Sequence, residues 1–305
     1  SRNLVDFYWT KTEDESLTWV DVNFRTKGYS ESIGNLLLKN QCFLDDINSP
    51  DINTNGVTEK AWKHIESKDF LFKLGRAPFY QEPYNEIACA KIAKCFPILN
   101  AVPYFLGQVQ GKPASVCQNF LCINEEFIPA SYLIPKKHPQ EAVYMRLSYI
   151  GKELGMKNIK EYIDNMIAFD YVINNTDRHL GNFGFLRDAN SGIYKGPAPI
   201  FDNGNSLWFD EPVEMNFLDD NFSKPFCNYH KEQLRLTKHL DNVDFINLRQ
   251  APEIIKQSLL NICDVYRVDK IAYSVSQKID DLYSHREKIA MHEKNTKYFV
   301  HEEVK

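Results

Sequence analysis

The sequence predicts an α+β protein of two lobes, a β-rich lobe over residues 1–121 and a mainly α-helical lobe over residues 122–305. Short runs mixing β-branched, aromatic and polar residues crowd the first part of the chain. Beyond it, apolar residues recur at steps of three and four, the helical period. A length of 305 residues lets each lobe bury a core of its own.

Leu4–Trp9, Leu17–Phe24 and Phe70–Leu74 read as strands of the first lobe. Asp45 to Gly56 is rich in Asp, Asn, Pro and Gly, the chemistry of a loop. From Glu82 the pattern turns helical: Pro83 suits a first turn, and Ile87, Ala88, Ile92 and Ala93 keep the period until Pro97. Val102–Leu106 and Ser115–Leu121 read as strands joined by the turn Gln110-Gly111-Lys112-Pro113. Val143–Leu154, Ile159–Val172 and a block from Pro252 to Glu293 are amphipathic helices. No internal repeat or low-complexity segment interrupts this order.

Composition narrows the function classes. The chain is 43% hydrophobic and 25% charged, with a net charge of −5, as expected of a globular protein. That balance, without a run of lysines or arginines, argues against direct nucleic-acid binding, which needs a concentrated basic surface. No apolar run approaches the ~20 residues of a membrane span, and Ser1 to Asp6 lacks the apolar core of a secretory signal. Seven cysteines, none in a C-x-x-C pair, read as free thiols in a reducing compartment. A cytoplasmic protein with no membrane partner is the expectation.

The chemistry concentrates between Asn174 and Asp202. Asp177 and Asn182 stand five residues apart in Asn174-Asn175-Thr176-Asp177-Arg178-His179-Leu180-Gly181-Asn182-Phe183-Gly184. That is the interval between base and metal ligand in a kinase catalytic loop. Phosphoryl transfer from ATP needs a carboxylate beside the attacking hydroxyl, oxygen ligands for magnesium and a cation over the phosphates. Asp177 would be the base, Asn182 an amide-oxygen ligand, and Asp202 in Phe201-Asp202-Asn203-Gly204 the anionic ligand that Mg2+ favours. An isolated Asp-Arg-His could equally cap a turn or form a local ion pair; it is the added Asn182 and Asp202 that favour chemistry. His179 is expected as a buried scaffold residue bonding backbone around the loop, ahead of a role in proton transfer.

Lys73 sits in the apolar run Phe70-Leu71-Phe72-Lys73-Leu74, an unusual place for a charge. With Glu86 on the next helix it would form the strand-to-helix ion pair that positions ATP, Glu82 being the competing partner. Backbone amides of Asn53 to Lys60, with Thr54, Asn55 and Gly56 at the centre, are expected to cover the phosphates. Gln118 and Phe120 fall where a linker between lobes would carry adenine on its backbone.

These motifs resemble those of the HipA-like serine/threonine kinases of bacterial toxin–antitoxin systems, over roughly Thr54 to Trp208. The family pattern Asn-x-Asp-Arg-His-x-x-Asn followed by an aromatic residue and Gly matches Asn175 to Gly184, and its later apolar-Pro-x-Phe-Asp-x-Gly segment matches Ala198 to Gly204. Gln81-Glu82-Pro83-Tyr84-Asn85-Glu86 is similar to the compact HipA-domain proteins of clostridial type. The resemblance implies a protein-kinase-like fold of the HipA type, ATP and Mg2+ as cofactors, and a protein Ser/Thr hydroxyl as acceptor, the enzyme itself included. It assigns Asp177 as base, Asn182 and Asp202 as metal ligands and Lys73 as phosphate contact, and suggests a small antitoxin-like partner. The family's phosphate loop can carry a regulatory serine; here it has Thr54 and Thr58, with Ser49 the nearest serine. A nucleotide-binding interaction module, or a kinase for a lipid or small molecule, are the other readings. Intact base and metal positions speak against the first, and the lack of a basic amphipathic membrane helix against the second.

Overall fold

The computed structural model describes residues 12–14, 16, 18, 59–134 and 140–302. The expected strand Leu4–Trp9, the expected strand Leu17–Phe24 apart from Thr18, and the expected phosphate loop around Thr54, Asn55 and Gly56 lie outside the described residues.

Four antiparallel strands, β1 (Lys60–Ile65), β2 (Lys68–Leu74), β3 (Phe105–Val109) and β4 (Lys112–Gln118), form a sheet in the order β1-β2-β4-β3. Two-residue turns close both hairpins. Glu66 and Ser67 at φ 48° and 64°, and Gln110 and Gly111 at φ 52° and 78°, have the positive φ values that match the twist of paired strands. Lys60, expected at the end of a loop, instead opens β1 and faces Lys73 across the ladder. The strand expected at Val102–Leu106 begins at Phe105 and runs to the Gln110-Gly111 turn.

Helix α1 (Glu82–Ile92) lies between β2 and β3 in sequence, opening on Pro83 and continuing into the 3-10 turn Ala93–Cys95. Then come β5 (Glu125–Pro129), α2 (Ala130–Leu133), α3 (Gln140–Glu153), α4 (Ile159–Ile173), β6 (Gly184–Asp188) and β7 (Tyr194–Pro197). β5, β6 and β7 make a second, three-stranded antiparallel sheet. The helical period had hidden it, because each strand is only four or five residues long and is punctuated by Pro129, Gly184 or Gly196.

The remainder is α5 (His230–Leu234), α6 (Phe245–Leu248), α7 (Ala251–Leu259) and α8 (Val265–Glu302). The block expected to be continuous from Pro252 divides before Val265. Asp264 accepts from the Arg267 N–H at 2.9 Å and so starts a new helix there. Among the described residues, no helix is long and apolar enough to cross a membrane.

The larger core surrounds α4, where every residue from Tyr162 to Ile173 is buried. Phe96, Trp208, Phe217, Phe226, Ile255 and Ile271 pack into the same cluster. Under the four-stranded sheet the buried set is much smaller: Ala61, Leu74, Val109 and Ala114, with Phe72 beside them. The sheet's stability therefore leans on α1, which packs on β4 on one side and on α7 on the other.

Candidate active site

α4 ends on Asn174, whose φ of 52° is the left-handed conformation that asparagine tolerates as a helix cap. The turn throws the chain out of the core into a loop ending at β6. Within it Asp177 N–H donates to Asn175 Oδ1 at 3.0 Å, and Asn182 Nδ2 donates back to the Asp177 carbonyl at 3.1 Å. Because the Asn182 amide nitrogen is spent on the loop, its amide oxygen is the end left for a ligand.

Arg178 is wholly buried under this loop. It grips Asp170 on α4 through Nε and Nη2 at 2.9 and 3.0 Å, and donates to the carbonyls of Asn182 and Phe201 at 3.1 and 2.8 Å. A further bond reaches Asn203 Oδ1 at 2.5 Å. One guanidinium thus sets the spacing between the Asp177 loop and the Asp202 loop. Burial opposes its charge, but Asp170 outweighs burial and holds it above the usual arginine value. The scaffold role expected of His179 belongs to Arg178. His179 is exposed at the rim of the cleft, where its Nδ1 accepts only from the nearby Gly181 N–H at 3.1 Å.

Asp202 stands at φ 59°, a left-handed conformation that costs a non-glycine residue about 1 kcal/mol or more and is typical of functional sites. Its Oδ1 meets Lys73 Nζ at 2.5 Å, and the same ammonium meets Glu86 Oε1 at 2.7 Å. Glu86 Oε2 in turn accepts from the Asn203 N–H at 2.8 Å. Glu86 is therefore the partner of Lys73, while Glu82 pairs with Arg76 at 2.9 Å. Gly204 lets the loop pass so close to α1. A Cβ there would stand 3.1 Å from Glu82 Cβ. Below, Asn85 Nδ2 donates to the Gly204 and Ser206 carbonyls at 2.9 and 2.6 Å, tying α1 to the loop that carries Asp202.

Burial would lower the Lys73 ammonium, but Asp202 and Glu86 together outweigh it and raise it. Burial would raise the Asp202 carboxyl, yet Lys73, assisted by Lys60 and Arg178, draws it down to about 2. Burial keeps Glu86 above the usual carboxylate value despite Lys73. The Lys60 ammonium is lowered by burial and by Lys73 facing it across the ladder.

Lys73, Glu86, Asp202, Asp177 and Asn182 border one cleft of about 470 Å³. Lys60, Lys73 and Ser115 line it from the sheet, Arg76 from the segment after β2, Glu86 from α1, and Asp177, Asn182, Asp202 and Asn205 from the other side. Ser115, opposite Lys73 on β4, is buried with its Oγ unpartnered by protein. The Asp177 carboxylate is held by Asn205 Nδ2 at 3.0 Å on one oxygen and Lys224 Nζ at 2.9 Å on the other. Gln118 and Phe120 are not among the cleft-lining residues. Gln118 ends β4 exposed, and Phe120 stacks on Phe201 at 5.7 Å, one residue before Asp202. Arg76, Asn205 and Lys224 had no role assigned from sequence, Lys60 was read only as backbone of the phosphate loop, and Arg178 only as part of the Asp-Arg-His motif. The one available signal was Arg178 inside the motif itself, where its burial could not be read.

The donors fit magnesium. Among the described residues no cluster of three or more His, Cys, Asp or Glu forms a complete metal cage. What the cleft offers is one carboxylate and one amide oxygen, hard donors for an ion that keeps waters and phosphate oxygens as its other ligands.

No family model matches the chain. A stretch of 118 residues is 30% identical to the serine/threonine-protein kinase CtkA of Helicobacter pylori strain J99, covering 34% of this chain and 34% of that protein. The chain thus spans about a third of the length of this curated relative. The crystal structure of the H. pylori proinflammatory kinase CtkA superposes with a TM-score of 0.61 at 18% identity, over 77% of this chain and 95% of the other. The chain shares the fold of that structure. HipA of Shewanella oneidensis MR-1, solved with HipB and operator DNA, overlaps more loosely, with a TM-score of 0.44 at 13% identity over 77% of this chain and 67% of HipA. In this fold the four-stranded sheet and α1 form one wall of the cleft, and the loops at Asp177 and Asp202 form the other.

Proposed function

We propose that the chain is an ATP- and Mg2+-dependent kinase of the cytoplasm that transfers the γ-phosphoryl group to a serine or threonine hydroxyl of a protein, itself included. The convergence of Lys73, Asp202, Asn182 and Asp177 on one cleft carries the reading. Lys73, set by Glu86 and Asp202, would contact the ATP phosphates, and Lys60 adds a second cation on the same wall. Asn182 Oδ1 and the Asp202 carboxylate would hold the magnesium ion, whose charge offsets that of the phosphates. Asp202, drawn down to about 2, stays ionised and unsuited to taking a proton, which leaves that task to Asp177. Asn205 and the Asn175–Asp177 bond orient the Asp177 carboxylate toward an acceptor hydroxyl.

We place the lobe boundary between residues 121 and 122, since the first sheet ends at Gln118 and the second opens at Glu125. The segment from Gln118 to Phe120 would carry adenine, and Thr54, Asn55 and Gly56 would close over the phosphates. A small antitoxin-like protein is the partner that the sequence resemblance implies. Incubation with γ-labelled ATP and Mg2+ tests the reading. Wild type should label itself or an added protein, and Asp177→Asn should reduce the label by about 10²-fold or more. Labelling that survives the substitution sinks it.

A further inference from the structure

Asp177 is already occupied on both oxygens, and its partner on Oδ1 is the Lys224 ammonium at 2.9 Å. Among the described residues, Lys224 bonds no other side chain. The hairpin that delivers it is fixed from behind. Ser223 N–H bonds the Asn228 carbonyl at 2.9 Å, and Phe222 and Tyr229 bridge the two arms with rings stacked at 5.2 Å. At the tip, Phe226 is fully buried, edge-on to Tyr144 at 5.9 Å. Gln233 clamps the same tip, accepting from the Phe226 N–H at 2.8 Å and bonding Ser223 Oγ.

The Lys224–Asp177 pair is 49% and 33% exposed on its two side chains, and ion pairs this open contribute little to stability. Phe226 and Gln233 hold the hairpin, and the hairpin holds the ammonium on the base. The cations that line the cleft have different duties: Lys73 is shared by Glu86 and Asp202, Arg76 is bonded to Glu82 and Asn205, and Lys60 faces Lys73 across the ladder. Lys224 reaches Asp177 from beside that lining. A lysine has three donors on a flexible stem, so it can keep one bond to Asp177 while another turns to an arriving anion.

We propose that Lys224 is a catalytic cation for the transfer, donating to Asp177 in the free enzyme and to the moving phosphoryl group as it passes to the acceptor. This rests on the kinase reading above. In the step, the bond from the γ-phosphorus to the β–γ bridging oxygen breaks and that oxygen leaves with ADP. A bond forms from phosphorus to the acceptor oxygen, whose proton passes to Asp177. Lys224 keeps its own protons throughout and acts through its charge.

The test compares wild type, Asp177→Asn, Lys224→Gln and Lys224→Arg with γ-labelled ATP and Mg2+, alongside ATP affinity by calorimetry and the melting temperature. Lys224→Gln should slow transfer at saturating ATP by about 100-fold, with ATP affinity and melting temperature unchanged. Lys224→Arg should restore part of the lost rate, which a purely structural role would not allow. Wild-type transfer by Lys224→Gln, a loss confined to ATP affinity, or an arginine variant as slow as the glutamine one would each overturn the proposal. The first two proteins decide the kinase reading separately. If wild type transfers and Asp177→Asn does not, that reading stands whatever Lys224 does; if wild type does not transfer, both fall.

Discussion

Asp202 meets a lysine that is 12% exposed, Lys73 at 2.5 Å, shared with Glu86 at 1%. Asp177, by contrast, meets one that is 49% exposed, Lys224 at 2.9 Å, although the carboxylates themselves are alike, at 39% and 33%. The two carboxylates border the same cleft and sit in loops joined by one buried arginine. One half is closed, charge-matched and tied through Asn203 and Asn85 to α1. The other rests on exposed lysine and on Asn205. This contrast suits the proposed phosphoryl transfer. Groups that would hold phosphate and metal gain from being fixed beforehand, while a base must stay reachable by its acceptor.

The largest expected effect comes from removing what joins the halves. Arg178→Met would leave Asp170 buried without its counter-charge and free both loops, costing about 3–5 kcal/mol of unfolding free energy in denaturant titrations. A cost below about 1 kcal/mol would mean the loops hold their spacing without it.

Breaking the closed half alone comes next. Lys73→Met leaves Glu86 buried and unpaired, so stability should drop by about 3 kcal/mol and ATP affinity should fall with it. Retained ATP binding would remove Lys73 from the phosphate site.

Lys60→Gln sharpens the comparison more gently. It removes the cation facing Lys73 across the ladder, and ATP affinity should weaken about tenfold by calorimetry with little change in stability. Unchanged affinity would confine the phosphate contact to Lys73.

The smallest effect is a flat line. Asp202 is depressed from 3.8 to about 2 in the folded chain, so its ionised form stabilises fully above the unfolded value and loses that contribution only as pH falls toward 2. The difference in unfolding free energy between wild type and Asp202→Asn should stay constant from about pH 5 to 8. A difference that grows as the pH falls from 8 to 5 would show the carboxyl raised rather than depressed by folding, against its pairing with Lys73.

Both carboxylates were legible in sequence, since Asp177, Asn182 and Asp202 fall at short intervals in one stretch. Of their two lysines only Lys73 was, as a charge in an apolar strand with Glu86 on the helix that Pro83 opens. Local spacing carries such positions. Lys224 follows Asp177 by 47 residues and reaches it through a hairpin set by Phe226 and Gln233, contacts that no spacing reveals. Arg178 and His179 were exchanged for a related reason. Sequence gives the order of neighbours in a loop but not which one turns inward, and here Asp170 beneath the loop decides it. In the fold, α1 and α4 were legible from their period, and β5 to β7 were lost because four or five residues are too few to display one.

The central claim is that the closed half binds nucleotide and the open half transfers from it. Calorimetric titration of MgATP into Asp177→Asn, with Lys73→Met in parallel, tests that division most directly. Asp177→Asn should bind MgATP as tightly as wild type while Lys73→Met loses at least about tenfold in affinity. An Asp177→Asn protein that loses as much affinity as Lys73→Met would contradict the account.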